Sequence, residues 1–108
     1  MQRALLPWQL VRVSGASMVP TLRHGDCVVV RHGARIRAGD VVLARFRTMP
    51  QRPVLKRAVR EADGGWWLVS DNEFAGGDSG IHGVADVEAR AVWVLPTGRR
   101  VPHRPHPA

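Results

Sequence analysis

The sequence predicts an all-β domain, a small partly closed barrel or folded antiparallel sheet. Three observations predict it. Short apolar runs rich in Val recur along the chain, turn signals built on Gly, Asp and Pro separate them, and no long amphipathic helical pattern appears anywhere. At 108 residues there is room for one domain and one modest core, and an apolar fraction of 44% supports folding over most of the length.

The first strand is predicted over Leu10–Ser14, where Val11 and Val13 alternate with more polar neighbours. A small-residue turn, Gly15-Ala16-Ser17, and a brief helical turn containing Pro20 follow. Gly25-Asp26 reverses the chain into a strand over Cys27–Arg31. Ala38-Gly39-Asp40 introduces Val41–Arg47, and a loop from Thr48 leads into Pro53–Arg60. Asp63-Gly64-Gly65 is a hairpin signal before Trp66–Ser70. Asp71–Gly83 reads as a long loop, of the length that usually carries function. Val84–Glu88 is ambiguous, and Arg90–Leu95 is the last predicted strand. A single β domain is thus expected over residues 1–96, and the Pro-, His- and Arg-rich 97–108 is expected to be a disordered tail.

Composition narrows the function. A single cysteine excludes an internal disulfide, and Cys27 in an apolar strand reads as an inert thiol. The net charge of +7 invites a nucleic-acid reading, but the cations are scattered or lie in the tail, without a basic helix or a stacking platform. No nucleic-acid partner is expected. No apolar run approaches the roughly 20 residues that span a bilayer, so no transmembrane segment is expected. Leu5-Leu6-Pro7-Trp8 suits either peripheral membrane contact or packing on the barrel. No cofactor or metal is expected, and the tail's His103 and His106 make a poor nickel site.

The sequence holds fifteen arginines and one lysine, Lys56. Arginine stays charged, whereas a desolvated lysine can lose its proton and act as a base. Lys56 lies mid-strand, with Val54 and Ala58 on its face. It is either a chance surface lysine or a general base. Ser17 is likewise either an ordinary turn serine or a nucleophile whose hydroxyl and backbone N–H meet a carbonyl together. The five histidines offer no triad, so a Ser/Lys pair is the better catalytic reading.

Four stretches in order carry a family resemblance: Gly15–Leu22, Gly25–Val30, Leu55–Val59, and Ser70-Asp71-Asn72 with Asp78-Ser79. Together they resemble the boxes of the type I signal peptidases, Ser/Lys endopeptidases of the S26 type with an all-β catalytic domain. The likeness implies Ser17 as nucleophile and Lys56 as general base. It implies oxyanion or supporting roles for Ser17, Gly15, Asp71, Asn72, Asp78 and Ser79, and a substrate groove near Met18 and Pro20. Departures accompany it. Gly15 stands where some members have a serine, the last box begins with Ser70 and ends with Gly80, and a serine that often orients the lysine is Gly76. Lys56 must then be held by other groups or by packing.

The transmembrane anchor and the large extra β region of bigger members are not expected here. With Trp66-Trp67-Leu68 and Asp71–Ser79, the chain is most similar to the nickel-type superoxide dismutase maturation proteases. That resemblance implies a cytoplasmic enzyme whose protein substrate is a propeptide-bearing precursor, the nickel superoxide dismutase precursor. A signal peptidase-like enzyme acting on exported or membrane-associated precursors is the first alternative, and a catalytically impaired peptide-binding module is the second. A self-cleaving repressor-type regulator is disfavoured, since only sixteen residues precede Ser17. The oligomeric state is open.

Overall fold

The computed structural model describes residues 7–105. Its elements are β1 (Trp8–Arg12), β2 (Cys27–His32), β3 (Val41–Phe46), β4 (Pro53–Ala62), β5 (Gly65–Val69), a helical turn α1 (Ser79–His82), β6 (Ala85–Leu95) and β7 (Arg99–Arg100). The seven strands form one antiparallel sheet in the order β1-β2-β6-β3-β4-β5, with β7 added beside β6. The sheet then bends back on itself, because β5 also pairs with β6 at Trp66 and Ala85. Strands β6, β3, β4 and β5 make a ring, and β2 and β1 extend from it as an open wing.

Local sequence explains the bending. Register shifts fall at Val29/Val30 in β2, Leu43/Ala44 in β3 and Ala58/Arg60 in β4, and each such irregularity adds local twist. Gly65 opens β5 where a Cβ would run into the Ala85 carbonyl and the Val84 side chain, so only glycine lets β5 and β6 close. Two apolar clusters result. One, under the wing, holds Val13, Met18, Leu22, Val28, Val30 and Val94 among others. The other, inside the ring, holds Val42, Ala44, Phe46, Ala58, Leu68 and Ala85.

The all-β expectation holds, with some differences in extent. The ambiguous Val84–Glu88 stretch and the last predicted strand are one eleven-residue strand, β6. Inside the expected 71–83 loop, Asp78 caps a single helical turn by accepting from the Gly80 N–H.

Within the stretch expected to be a tail, residues 97–105 carry contacts with the folded body. β7 pairs with Trp93 and Val94 of β6, and Val101 is buried in the wing cluster. The Arg99 guanidinium donates to the Thr21 carbonyl, the Arg104 N–H donates to the Gly39 carbonyl, and His103 Nδ1 meets the buried Asp40 carboxylate at 2.9 Å. A polar, proline-containing segment orders here because the folded body offers it fixed partners. His106 lies outside the described residues, as do Leu5 and Leu6.

Candidate active site

The loop that carries Ser17 is closed at its base by two backbone bonds, from Val13 N–H to the Asp26 carbonyl and from Gly25 N–H to the Val13 carbonyl. Between them the chain makes one helical turn, in which Leu22 N–H donates to the Met18 carbonyl at 2.9 Å. Met18 and Leu22 are fully buried, and these two anchors pin the turn to the core. Ser17 sits at the start of that turn, half-buried, and its N–H has no hydrogen-bond acceptor among the described residues. Such an unpaired donor at the opening of a helical turn is what an oxyanion requires.

The Ser70-Asp71-Asn72 stretch locks this loop from the other side. Asn72 N–H donates to the Ser17 carbonyl at 2.9 Å, and its Nδ2 donates to the Ala16 carbonyl at 3.1 Å. Asp71 N–H points at the Met18 Sδ, 3.4 Å away. The Asp71 carboxylate takes both prongs of the Arg57 guanidinium and also accepts from the Thr21 hydroxyl. Arg57 is only 1% exposed and donates further to the Gly39 and Pro102 carbonyls. This buried pair ties together five separate segments, those of Thr21, Gly39, Arg57, Asp71 and Pro102. Burial alone would raise the Asp71 carboxyl, but hydrogen bonds from Arg57 and Thr21, with the charges of Arg57 and Arg104, hold it below its ordinary range.

Lys56 projects from the middle of β4 and is 5% exposed. Its Nζ donates to the Ser70 Oγ at 2.8 Å. Burial lowers its pKa from the ordinary lysine value of 10.5, and the negative charge of Asp78 opposes the shift without reversing it. Lys56 and Ser17 line the same cavity of about 500 Å³, together with Met18, Leu55, Gly77 and His82. No hydrogen bond joins Ser17 to Lys56. The cavity holds an apolar wall, a serine with a free backbone donor and an amine whose pKa burial lowers, which is a set suited to acyl transfer on an extended peptide.

The other expected residues fall in different places. Gly15 has a φ of +88°, which suits glycine, and its N–H donates to His24 Nδ1 at 3.0 Å. Asp78 caps α1 and acts on Lys56 by charge alone. Ser79 is fully buried and accepts from the Leu68 N–H, so it ties α1 to β5 and does not face the cavity. Pro20 is exposed and lies outside the cavity lining, where a substrate-groove position was expected. The helical turn carries it past the mouth, while Met18 goes inward. Arg57, Thr21 and Ser70 went unassigned from sequence: Arg57 was hidden among fifteen arginines, and Ser70 depends on strand register.

Compared with known families, the chain matches Peptidase S24-like over residues 7–83, a span that includes Ser17, Lys56 and the Ser70–Asp78 loop. No curated protein matches it.

Proposed function

The chain belongs to the Peptidase S24-like family, which makes it a protein of the serine peptidase kind, and from that premise we propose that it is a Ser/Lys endopeptidase with Ser17 as nucleophile and Lys56 as general base. One observation carries the reading. The only lysine of the chain is buried, with its pKa lowered, on the wall of the cavity that Ser17 also lines.

The chemistry balances without a cofactor. Neutral Lys56 takes the Ser17 hydroxyl proton as Oγ attacks the scissile carbonyl carbon, and the Ser17 N–H stabilises the oxyanion. Collapse breaks the C–N bond, and the amine leaves with the proton held by Lys56. Lys56 then deprotonates a water that attacks the acyl-Ser17 ester, releasing the new carboxylate and restoring the hydroxyl.

We assign the substrate by resemblance: an N-terminal propeptide on a nickel superoxide dismutase precursor, processed in the cytoplasm. The likeness of the Trp66–Leu68 and Asp71–Ser79 stretches to the maturation proteases supports it. The test is incubation of the purified protein with that precursor and, in parallel, with a signal-peptide substrate, read by intact mass. Wild type should remove a defined propeptide. Ser17→Ala and Lys56→Arg should lose about 10³-fold or more in rate while keeping their melting temperature. Cleavage by Lys56→Arg at the wild-type rate would exclude Lys56 as the base. Silence of wild type on both substrates would favour a peptide-binding module.

A second reading, action on membrane-associated precursors, is favoured by one surface. Leu10, Val29 and Trp93 are register partners in a row across β1, β2 and β6, on the side away from the core. Trp8 and Leu95 flank them, also exposed, and β1, β2 and β7 carry no acidic residue.

A further inference from the structure

A lysine side chain has four rotatable methylene links, so an amine that must meet one particular hydroxyl has to be held from outside. The groups facing Lys56 differ in what they supply. Asp78, on the loop before α1, contributes charge, while Arg12, Arg52 and His82 line the same cavity from β1, the β3–β4 connection and α1. The buried Asp71 carboxylate is committed to Arg57 and Thr21. The hydrogen bond that Lys56 Nζ makes goes to Ser70 Oγ.

The fold makes that contact hard to avoid. Arg57 of β4 pairs with Val69 of β5, so continuing the antiparallel register sets Lys56 opposite Ser70. Ser70 is also the first of three consecutive residues that each hold part of the site. Ser70 takes Lys56, Asp71 takes Thr21 and Met18, and Asn72 takes Ser17. The span between Lys56 and the Ser17 loop is therefore set by one short stretch of backbone.

We infer that Ser70 is a positioning residue for Lys56, its hydroxyl oxygen fixing the amine in the cavity beside Ser17. As a catalytic role this rests on the dyad reading above. The hydroxyl suits the task in both protonation states: it accepts from the ammonium and from the neutral amine alike, and its own O–H remains free to donate. The ammonium gains more from the acceptor than the amine does. Removing the hydroxyl from this buried place must therefore disfavour the charged form and lower the Lys56 pKa further.

Because the chain has one lysine, labelling with [13Cε]lysine gives a single titrating signal. We would follow it against pH in wild type, Ser70→Ala and Ser70→Thr, beside kcat and KM on the cleaved substrate. Ser70→Ala should titrate about one pH unit lower, since a charge-assisted hydrogen bond is lost. Its plateau kcat should fall about 10- to 100-fold with little change in KM, as expected for a misplaced base. Ser70→Thr keeps the hydroxyl and should titrate as wild type. An unchanged titration in folded Ser70→Ala overturns the inference, and so does the same shift in Ser70→Thr. The titration does not depend on cleavage, so the two ideas fail separately. Wild-type cleavage by Lys56→Arg removes the dyad, whereas an inactive Lys56→Arg beside a fully active Ser70→Ala removes only Ser70.

Discussion

At the scale of single residues, two adjacent cations on β4 meet opposite fates. Lys56 faces a cavity with a hydroxyl for a partner, and burial lowers its pKa; Arg57 is buried in a two-pronged pair with the Asp71 carboxylate. The fork of a guanidinium can serve a carboxylate and two carbonyls together, which an ammonium cannot do in fixed geometry. Removing the Asp71 charge leaves Arg57 buried and uncompensated. Asp71→Asn should cost about 3–5 kcal/mol in urea unfolding near neutral pH. The sign with pH follows from Asp71 being held below its ordinary value of 3.8 in the fold. Its contribution is fully present above that value and is lost as pH falls through the lower folded-state value. Wild type should therefore shed stability in acid over that range, and Asp71→Asn should lack that part of the loss. Equal acid profiles for the two proteins would remove Asp71 from the account. Of this site, Lys56 was legible from sequence because one lysine among fifteen arginines is a compositional signal. Its link to Ser70 was not, because a bulge between Ala58 and Arg60 sets that register and turn signals do not encode it.

At the scale of elements, the strands were legible where Gly-Asp turns bracket Val-rich runs, as for β2 and β3. β6 was split in the reading because Glu88 and Arg90 interrupt its apolar pattern; both face outward, and Ala85, Ala89, Ala91 and Val94 carry the buried side. The contacts of the C-terminal segment are illegible in sequence for a different reason: its partners are distant along the chain, at Thr21, Gly39 and Asp40. Gly39 is where that packing is tightest. Its φ is +103°, and a Cβ there would stand 2.8 Å from His103 Cε1 and 2.9 Å from the Pro105 nitrogen. Gly39→Ala should thus be strained and also push the segment away, costing about 2–4 kcal/mol. Trypsin offers a direct readout, since Arg99 and Arg100 are held in β7. Wild type should resist cleavage there and Gly39→Ala should be trimmed quickly. Immediate trimming of wild type would mean that β7 does not hold the segment in solution.

At the scale of the whole molecule, the ring and the wing divide the labour. Cross-strand closure through β6 holds the β4–β5 side of the site, while the wing brings in the Ser17 loop and turns an apolar row outward. That partition was invisible in sequence, because alternation predicts which residues share a face but not which face is covered. Leu10 is 60% exposed in the row, and Arg31 and Arg100 lie over the Trp8 and Trp93 rings at 5.1 and 5.5 Å. With those ring faces occupied by guanidinium groups, base stacking is disfavoured. Exposed Trp and Leu edged by arginine, on a face whose strands β1, β2 and β7 carry no acidic residue, instead match the interface of an anionic bilayer, where each arginine contributes about 1 kcal/mol and apolar burial adds to it. If the protein acts on membrane-associated precursors, it should float with vesicles containing phosphatidylserine and stay behind with pure phosphatidylcholine. The net charge of +7 could draw it to any anionic surface, so the discriminating variant must leave charge alone. Leu10→Ser with Trp93→Ser should abolish flotation at physiological salt, because the remaining electrostatic attraction is screened within about 8 Å. Flotation that survives this change would assign the binding to charge and not to the row, and absence of flotation in wild type would leave soluble precursors as the substrates.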